Sequence, residues 1–258
     1  MNLVINFQYK YISDFIEKIP TIFPYEGESI HKLRNEIKIF KVENLTINVK
    51  SYKKPIFLNR IAYTFFRESK AKRAYNYALK LIDLGVNTAA PIAYVECKKG
   101  GLLSSSYFVS LQVDTQGNLK DITNPQMSRQ EKHNIAVALA KFTASIHKKG
   151  VLHIDYSPGN ILYRKENEKY EFILIDINRM KFTDIDKDKG CNNFCRLWGD
   201  DDFFIVLAQT YAQEMGYSQE ECINKVLEYR KIEWKKRNKK REIKNFFKER
   251  SKKLFTKS

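Results

Sequence analysis

A chain of 258 residues, 43% of them hydrophobic, can bury a full core, which excludes intrinsic disorder and suggests one large domain or two small lobes sharing a cleft. Its 46 Lys and Arg exceed its 30 Asp and Glu by a formal +16, so an anionic partner is expected: nucleotide, nucleic acid, acidic glycolipid or membrane surface. The four cysteines (Cys97, Cys191, Cys195, Cys222) are too few and scattered for a disulfide framework and fit a reduced compartment, and the Cys191/Cys195 pair lacks a second pair to complete a zinc site.

The opening "MNLVINFQYKYISDFIEK" has acidic residues and no basic start or small-residue cleavage site, so it does not read as a secretory signal. No apolar run approaches the roughly 18 residues needed to cross a bilayer, and the expectation is a soluble or peripheral protein. "NEIKIFKV" and "LTINVKSY" alternate with period two around Glu43-Asn44 and predict an antiparallel hairpin. "SKAKRAYNYALKLIDLG" predicts a helix capped by Ser69 and ended by Gly85, with Ala71, Ala74, Tyr75, Ala78, Leu79 and Ile82 on its buried face. "PIAYVE" and "SYFVSLQV" predict two more strands, joined by the polar connector "CKKGGLLSS". Residues 1–115 thus read as a lobe made of an antiparallel sheet carrying one helix.

A mostly helical lobe follows over 116–229. Ser128 and Glu131 form a capping box ahead of a helix that buries Ile135, Leu139, Phe142 and Ile146 and stops at Gly150. "HIDYSPGN" (153–160) comes next, then a strand at "NILY", a charged turn over 165–169, a second strand "YEFILID", and a helix capped by Asp200 to Asp202. From Arg230 onward fourteen Lys/Arg face three acids, so 230–258 reads as a basic tail holding eleven of the sixteen excess charges.

The octet carries the chemistry. A helix feeds a turn bearing Asp155 and Asn160, and a hairpin returns Asp176 at the end of its second strand. Sparse hard oxygen ligands of this kind suit Mg2+ shared with a phosphorylated substrate. Asp155 is placed to take the proton of an attacking hydroxyl, while Asn160 and Asp176 hold the metal, as in protein-kinase-like catalytic loops. The alternative, that Asp155 and Asn160 only form the turn, is weakened by the helix before them and the strand-terminal aspartate after. His153 reads as a hydrogen-bonding brace of the loop and not as a base. In the first lobe Lys50, after Val49 on a strand, takes the position of a nucleotide-phosphate lysine. Only Gly27 precedes the first strand pair, a weak basis for a glycine loop, and Lys32 and Arg34 can substitute by charge. The adenine pocket is expected along the backbone from Leu111 to Val113. The helix from Ser69 to Ile82 has no carboxylate for Lys50, so Glu68 is the nearest candidate, and Glu68→Gln is expected to lower ATP use where Asn76→Ala does not.

Together "VKSYKKP", "SKAKRAY", "LGVNTAAPIAY", "HIDYSPGNILY" and "IDINRMKF" make the chain resemble the lipopolysaccharide core kinases of Gram-negative bacteria, the Kdo/heptose kinase family, from about Gly27 to Phe182. The resemblance implies an α+β, bilobal protein-kinase-like fold and transfer of the ATP γ-phosphoryl group, with Mg2+, to a Kdo or heptose hydroxyl of the lipid A core at the cytoplasmic face of the inner membrane. It implies Asp155 as base, Asn160 and Asp176 as metal ligands, and Lys50 on the nucleotide phosphates. Ile154 stands where protein kinases place the arginine that reads a phosphorylated loop, and 183–200 is short and lacks Ala-Pro-Glu, so an always-on enzyme with a small or lipid-borne acceptor is expected. Arg179 and Lys181 are candidate acceptor contacts. Trp234, Ile243, Phe246, Phe247, Leu254 and Phe255 among the tail cations read as a membrane-surface helix, or else as a solvated helix packed on the second lobe. Nucleic acid is not the expected partner, and no obligate protein partner is inferred. Two rivals stand beside this reading: an atypical protein kinase or small-molecule phosphotransferase on the same fold, and a non-catalytic pseudokinase binding anionic surfaces.

Overall fold

The computed structural model describes residues 1–167 and 169–255, without the side chains of 244 and 246–255. Its first unit comprises Met1–Asn118, Asn160–Lys165 and Glu171–Met180. The N-terminal stretch folds into β1 (Asn2–Ile5), a 3-10 turn, and α1 (Ser13–Ile22), followed by β2 (Glu28–Lys32). The expected hairpin follows as β3 (Glu36–Val42) and β4 (Leu45–Tyr52), turning at Glu43, which takes a φ of 52°. After α2 (Phe57–Phe65) and α3 (Lys70–Asp83), β5 (Pro91–Lys99) and β6 (Leu102–Leu111) complete an antiparallel sheet ordered β1, β5, β6, β4, β3, β2.

This sheet carries three helices, not the single one expected. Ile12, Ile16, Ile19 and Phe23, at helical spacing in and around α1, pack on Phe40, Ile47, Val49, Val95, Tyr107 and Val109 to form its core. Alternation along β4 then turns Asn48, Lys50 and Tyr52 to the opposite face. The connector "CKKGGLLSS" is not a loop: both strands run through it, pairing Cys97 with Ser105 and Lys99 with Leu102 around a turn at Gly100-Gly101. In α3 the Ser69 hydroxyl accepts the Lys72 N–H as expected, at 3.1 Å. Its buried stripe runs Ala71, Ala74, Ala78, Leu81, so Leu81 replaces Leu79 and Ile82, the latter being 45% exposed. A 3-4-3 spacing keeps the stripe at 81.

Two later strands belong to this unit in large part. β9 (Ile161–Glu166) pairs with the short β7 (Gly117–Asn118) and with β10 (Lys169–Leu174). The loop after α3 fixes β10: Leu174 N–H donates to the Asn87 carbonyl at 3.0 Å, and the Thr88 hydroxyl to the Leu174 carbonyl at 2.7 Å.

The second unit comprises Leu119–Gly159, Glu166–Tyr170 and the chain from Lys181. It holds α4 (Arg129–Lys148), β8 (Val151–His153), most of β11 (Met180–Phe182), α5 (Lys187–Asn193), α6 (Asp201–Met215) and α7 (Gln219–Phe255). The Ser128 hydroxyl caps α4 through the Glu131 N–H, 3.1 Å, but the Glu131 carboxylate accepts from the Tyr170 hydroxyl at 3.3 Å, so only half of the expected capping box is made. Ile135, Leu139 and Ile146 are buried, and Phe142 only partly. Asp200 caps α6 through the Phe203 N–H at 2.9 Å, and Gly216 ends it in the left-handed conformation. Tyr156, Phe194, Phe204 and Tyr211 are fully buried, with Phe194 and Tyr211 meeting edge to face at 5.1 Å.

The basic run begins inside α7, not before it. Cys222 and Val226 are buried in the first turns of that helix, and Arg230 bonds the Gly199 carbonyl at 2.7 Å, pairs with Asp201, and stacks 4.6 Å over the Phe204 ring. Trp234 and Ile243 are 42% and 48% exposed. The side chains of Phe246, Phe247, Leu254 and Phe255, on which the membrane reading of the tail leans, lie outside the described residues.

Candidate active site

The sequence-expected residues divide between the two units: Lys50, Glu68, Leu111, Val113, Asn160 and Asp176 in the first, Asp155 in the second.

In the first unit a cavity of about 280 Å3 opens on the face of β4 that bears Asn48, Lys50 and Tyr52. Phe108, Leu111, Val113, Leu162 and Ile177 supply its apolar lining; Lys50 and Asp176 supply charge. The Lys50 ammonium lies 2.5 Å from Asp176 Oδ1, with side chains 13% and 31% exposed. Asn178 Nδ2 donates to the same oxygen at 2.6 Å. Asp176 sits in the left-handed region, φ 55° and ψ 41°, a conformation that aspartate tolerates better than most residues and that aims its carboxylate off the end of β10. Ile175 N–H donates to the Asn160 carbonyl at 3.0 Å, tying the backbone of Asn160 to the residue before Asp176. Asn160 closes the 3-10 turn just before β9 and Asp176 follows β10, so the two expected metal ligands stand just off adjacent ends of paired strands.

Tyr52 is buried between two cations, with the Lys50 and Lys70 ammonium groups 5.5 and 6.0 Å from its ring centroid. Burial holds its phenol well above the ordinary tyrosine range, and the Asp176 carboxylate adds to this. Sequence reasoning missed Tyr52 and Asn178, although each stands two residues from a residue it singled out.

Two expectations are corrected. Glu68 is not the partner of Lys50: it pairs with Lys72 at 3.1 Å and accepts from Asn76 Nδ2 at 3.4 Å. The carboxylate on Lys50 is Asp176. Gly27 is not among the residues lining the cavity, and its need for glycine has another origin: it takes a φ of 83°, and a Cβ there would stand 2.6 Å from the Phe40 ring. It lets buried Phe40 close the sheet core.

In the second unit β8 leads into the loop of Asp155. The fully buried His153 accepts the Asp155 N–H on Nδ1 at 3.1 Å, the bracing role expected of it. Ser157 N–H donates to the Asp155 carbonyl at 2.7 Å. Beneath this turn Asn193 Nδ2 holds the His153 carbonyl at 3.0 Å, and His147 lies between Asn193 Oδ1 (3.1 Å) and the Tyr211 hydroxyl (2.8 Å). Tyr156, also within the octet, anchors through its hydroxyl to Thr143 Oγ1 at 2.7 Å. The Asp155 carboxylate faces Arg196, whose Nη1 is 2.7 Å from Oδ1. No spacing in the sequence pointed to Arg196, forty-one residues further on. Lys120, equally unforeseen, lays its side chain over the loop, where a Cβ at Gly159 would meet its Cε at 2.9 Å.

The donor types suit a hard divalent cation: a carboxylate and an amide residue at adjacent ends of paired strands, with a lysine beside the carboxylate for phosphate. Among the described residues no group of three or more His, Cys, Asp or Glu is placed to hold a metal ion by itself.

Residues 34–198 match the family model described as the lipopolysaccharide kinase (Kdo/WaaP) family. The chain belongs to the lipopolysaccharide kinase (Kdo/WaaP) family. A solved structure of WaaP in complex with acyl carrier protein has the same fold, with a TM-score of 0.62 at 15% identity, covering 93% of this chain and 99% of that one. A crystal structure of the Mycobacterium tuberculosis PknI kinase domain, as a double mutant, aligns with a TM-score of 0.46 at 15% identity over 78% of this chain and 94% of that domain. No curated protein sequence matches the chain. The fold is α+β and kinase-like, with an antiparallel N-terminal sheet and a helical C-terminal part, and the family activity is that of a kinase, a phosphotransferase.

Proposed function

We propose that this lipopolysaccharide kinase transfers the γ-phosphoryl group of ATP to a sugar hydroxyl, of Kdo or heptose, in the lipid A-linked inner core. The observation that carries this reading is the Lys50–Asp176 pair on the wall of an apolar cavity, in a chain of this family.

In this mechanism the nucleobase enters the apolar part of the cavity, against the backbone of Leu111 to Val113. Lys50 moves from Asp176 to the nucleotide phosphates, an exchange of one anionic partner for another. Asp176 and Asn160 would then hold Mg2+, which when bound neutralises charge on the transferring phosphoryl group. Asp155 accepts the proton of the attacking sugar hydroxyl as its oxygen bonds to the γ-phosphorus and the bond to the β-phosphate bridging oxygen breaks. Arg196 orients the Asp155 carboxylate, and His153 holds the loop backbone under it. With Ile154 in place of a loop-reading arginine, activity does not depend on phosphorylation of the chain.

The enzyme works on the cytoplasmic face of the inner membrane as a peripheral protein, a reading supported by the excess of positive charge and by the lipid-borne acceptor. Among the described residues no helix is long and apolar enough to cross a membrane. An acyl carrier protein, present with WaaP in the similar structure, is proposed as a protein partner here too; co-purification of a 4′-phosphopantetheine-bearing protein would support it.

The test is transfer of label from γ-labelled Mg-ATP to a Kdo-bearing lipid A precursor, with casein as a parallel protein acceptor. Label should enter the glycolipid and be lost in Asp155→Asn. Label in casein alone would replace this reading by a protein kinase, and label in neither by a binding role.

A further inference from the structure

One element of the first unit is attached the wrong way round for a core helix. At about 100° per residue, Phe57, Ile61, Phe65, Leu58, Ala62 and Phe66 share roughly one half of the α2 circumference. Asn59, Arg60, Tyr63 and Thr64 share the other half. Polar bonds hold α2 in place: Arg60 donates to the Leu103 and Lys99 carbonyls at 2.8 and 3.1 Å, and Thr64 Oγ1 accepts the Leu103 N–H at 3.0 Å. No residue of α2 is buried. Phe57, Leu58, Phe65 and Phe66 are 63 to 81% exposed, and Ile56, just before the helix, is 70% exposed. Isolated exposed apolar residues are ordinary, but four within ten positions along one side of a helix and its C-cap are a patch.

What the patch fits is decided by its surroundings. On the polar side of α2, Asn59 and Tyr63 border a pocket of about 330 Å3 whose charged lining is Arg34, Lys53, Lys54 and Lys70, with no carboxylate among its lining residues. Burial lowers the Lys70 ammonium, and the Arg34 and Arg179 charges add to this against a smaller opposing pull from Asp176, so cations crowd one another along this wall. Tyr52 is a wall both of this pocket and of the cavity holding Lys50 and Asp176. Apolar side chains facing outward beside a basic, anion-sized recess are the two parts of an interfacial helix on a negatively charged bilayer.

We propose that α2 is a lipid-docking element: Phe57, Leu58, Phe65 and Phe66 enter the acyl layer of an anionic membrane, and Arg34, Lys53, Lys54 and Lys70 take a lipid phosphate in the adjoining pocket. Docking there sets a phosphate-bearing headgroup one tyrosine ring from the Lys50–Asp176 pair. The basic stretch of α7 is then an auxiliary contact. This assignment concerns membrane contact and stands apart from the identity of the acceptor.

The experiment is flotation of the full chain with vesicles of phosphatidylcholine alone or with 30% phosphatidylglycerol. The Leu58→Ser/Phe65→Ser/Phe66→Ser variant changes only exposed side chains, so its thermal melt should match wild type while its apparent affinity for anionic vesicles falls at least about tenfold. Lys53→Gln/Lys54→Gln should lower the preference for anionic over neutral vesicles by about fivefold per charge removed. Removal of residues 239–258 should leave most of the binding. The proposal is overturned if the triple-serine variant floats like wild type or the truncation alone abolishes binding. It is equally overturned if wild type ignores vesicles while the patch is covered by a second copy or a captured acyl carrier protein, seen as a complex in sedimentation that the variant loses. ATPase turnover without acceptor, unchanged in the triple-serine variant, separates this outcome from failure of the kinase chemistry.

Discussion

His147 lies under the loop of Asp155, buried between Asn193 and Tyr211, and burial pushes its imidazole from 6.5 down to about 4. The folded-state value is below the unfolded one, so its contribution to stability is complete above about pH 6.5. It is lost as pH falls toward 4, because only the unfolded chain takes up the proton. The expected loss is about 3 kcal/mol across that window. Urea melts at pH 7.5 and 5 would show it, and His147→Gln should flatten that slope. Arg196→Ala frees the Asp155 carboxylate from its 2.7 Å partner; kcat should fall roughly tenfold with little change in the KM for ATP, a split that steady-state kinetics resolves. Gly27→Ala should cost about 1–3 kcal/mol, read from the denaturation midpoint, since the new methyl meets Phe40 and the positive φ disfavours any side chain. At this scale the sequence was legible where chemistry sits in short spacings. Asp155, Asn160 and Asp176 stand within twenty-two residues around a turn and a hairpin, close enough to be singled out together as candidates. Arg196 and Asn193 were hidden because they reach the loop from a distant segment whose own pattern carries no such signal.

Among the elements, α3 separates two accounts of the strand lysine. Because Asp176 and not Glu68 holds Lys50, Glu68→Gln should leave ATP use near wild type, whereas Lys50→Met should lower kcat/KM for ATP by roughly two orders of magnitude. Both are measurable in one acceptor-independent ATPase assay. The elements with end signals could be read directly: Ser69 and Ser128 cap α3 and α4, and alternating strands flank Glu43-Asn44. Both unforeseen helices defeat pattern reading for physical reasons. α1 carries Pro20 within its span, against the usual rule for helix interiors. α2 has a strong apolar periodicity, but it faces away from the protein, so there is no core for that periodicity to reveal.

For the molecule as a whole, charge and apolar surface act together. Raising salt screens the lysines and arginines but not the apolar arc of α2, so wild type should keep part of its vesicle binding at 0.5 M NaCl while the triple-serine variant loses nearly all. The Lys50–Asp176 pair has a consequence in another domain. Protein kinases depend on a helix glutamate pairing with the strand lysine, and the position of that helix controls activity. Here the helix in that place brings Lys70 and Arg73 toward Tyr52, and the lysine is already held by Asp176. A small molecule that draws its selectivity from trapping a swung-out helix finds no glutamate–lysine latch to break. Pharmacology against this enzyme would have to begin instead at the cavity of Lys50 and Asp176, or at the lysine-rich recess beside it, where an acidic head with a short greasy tail would compete with the proposed lipid.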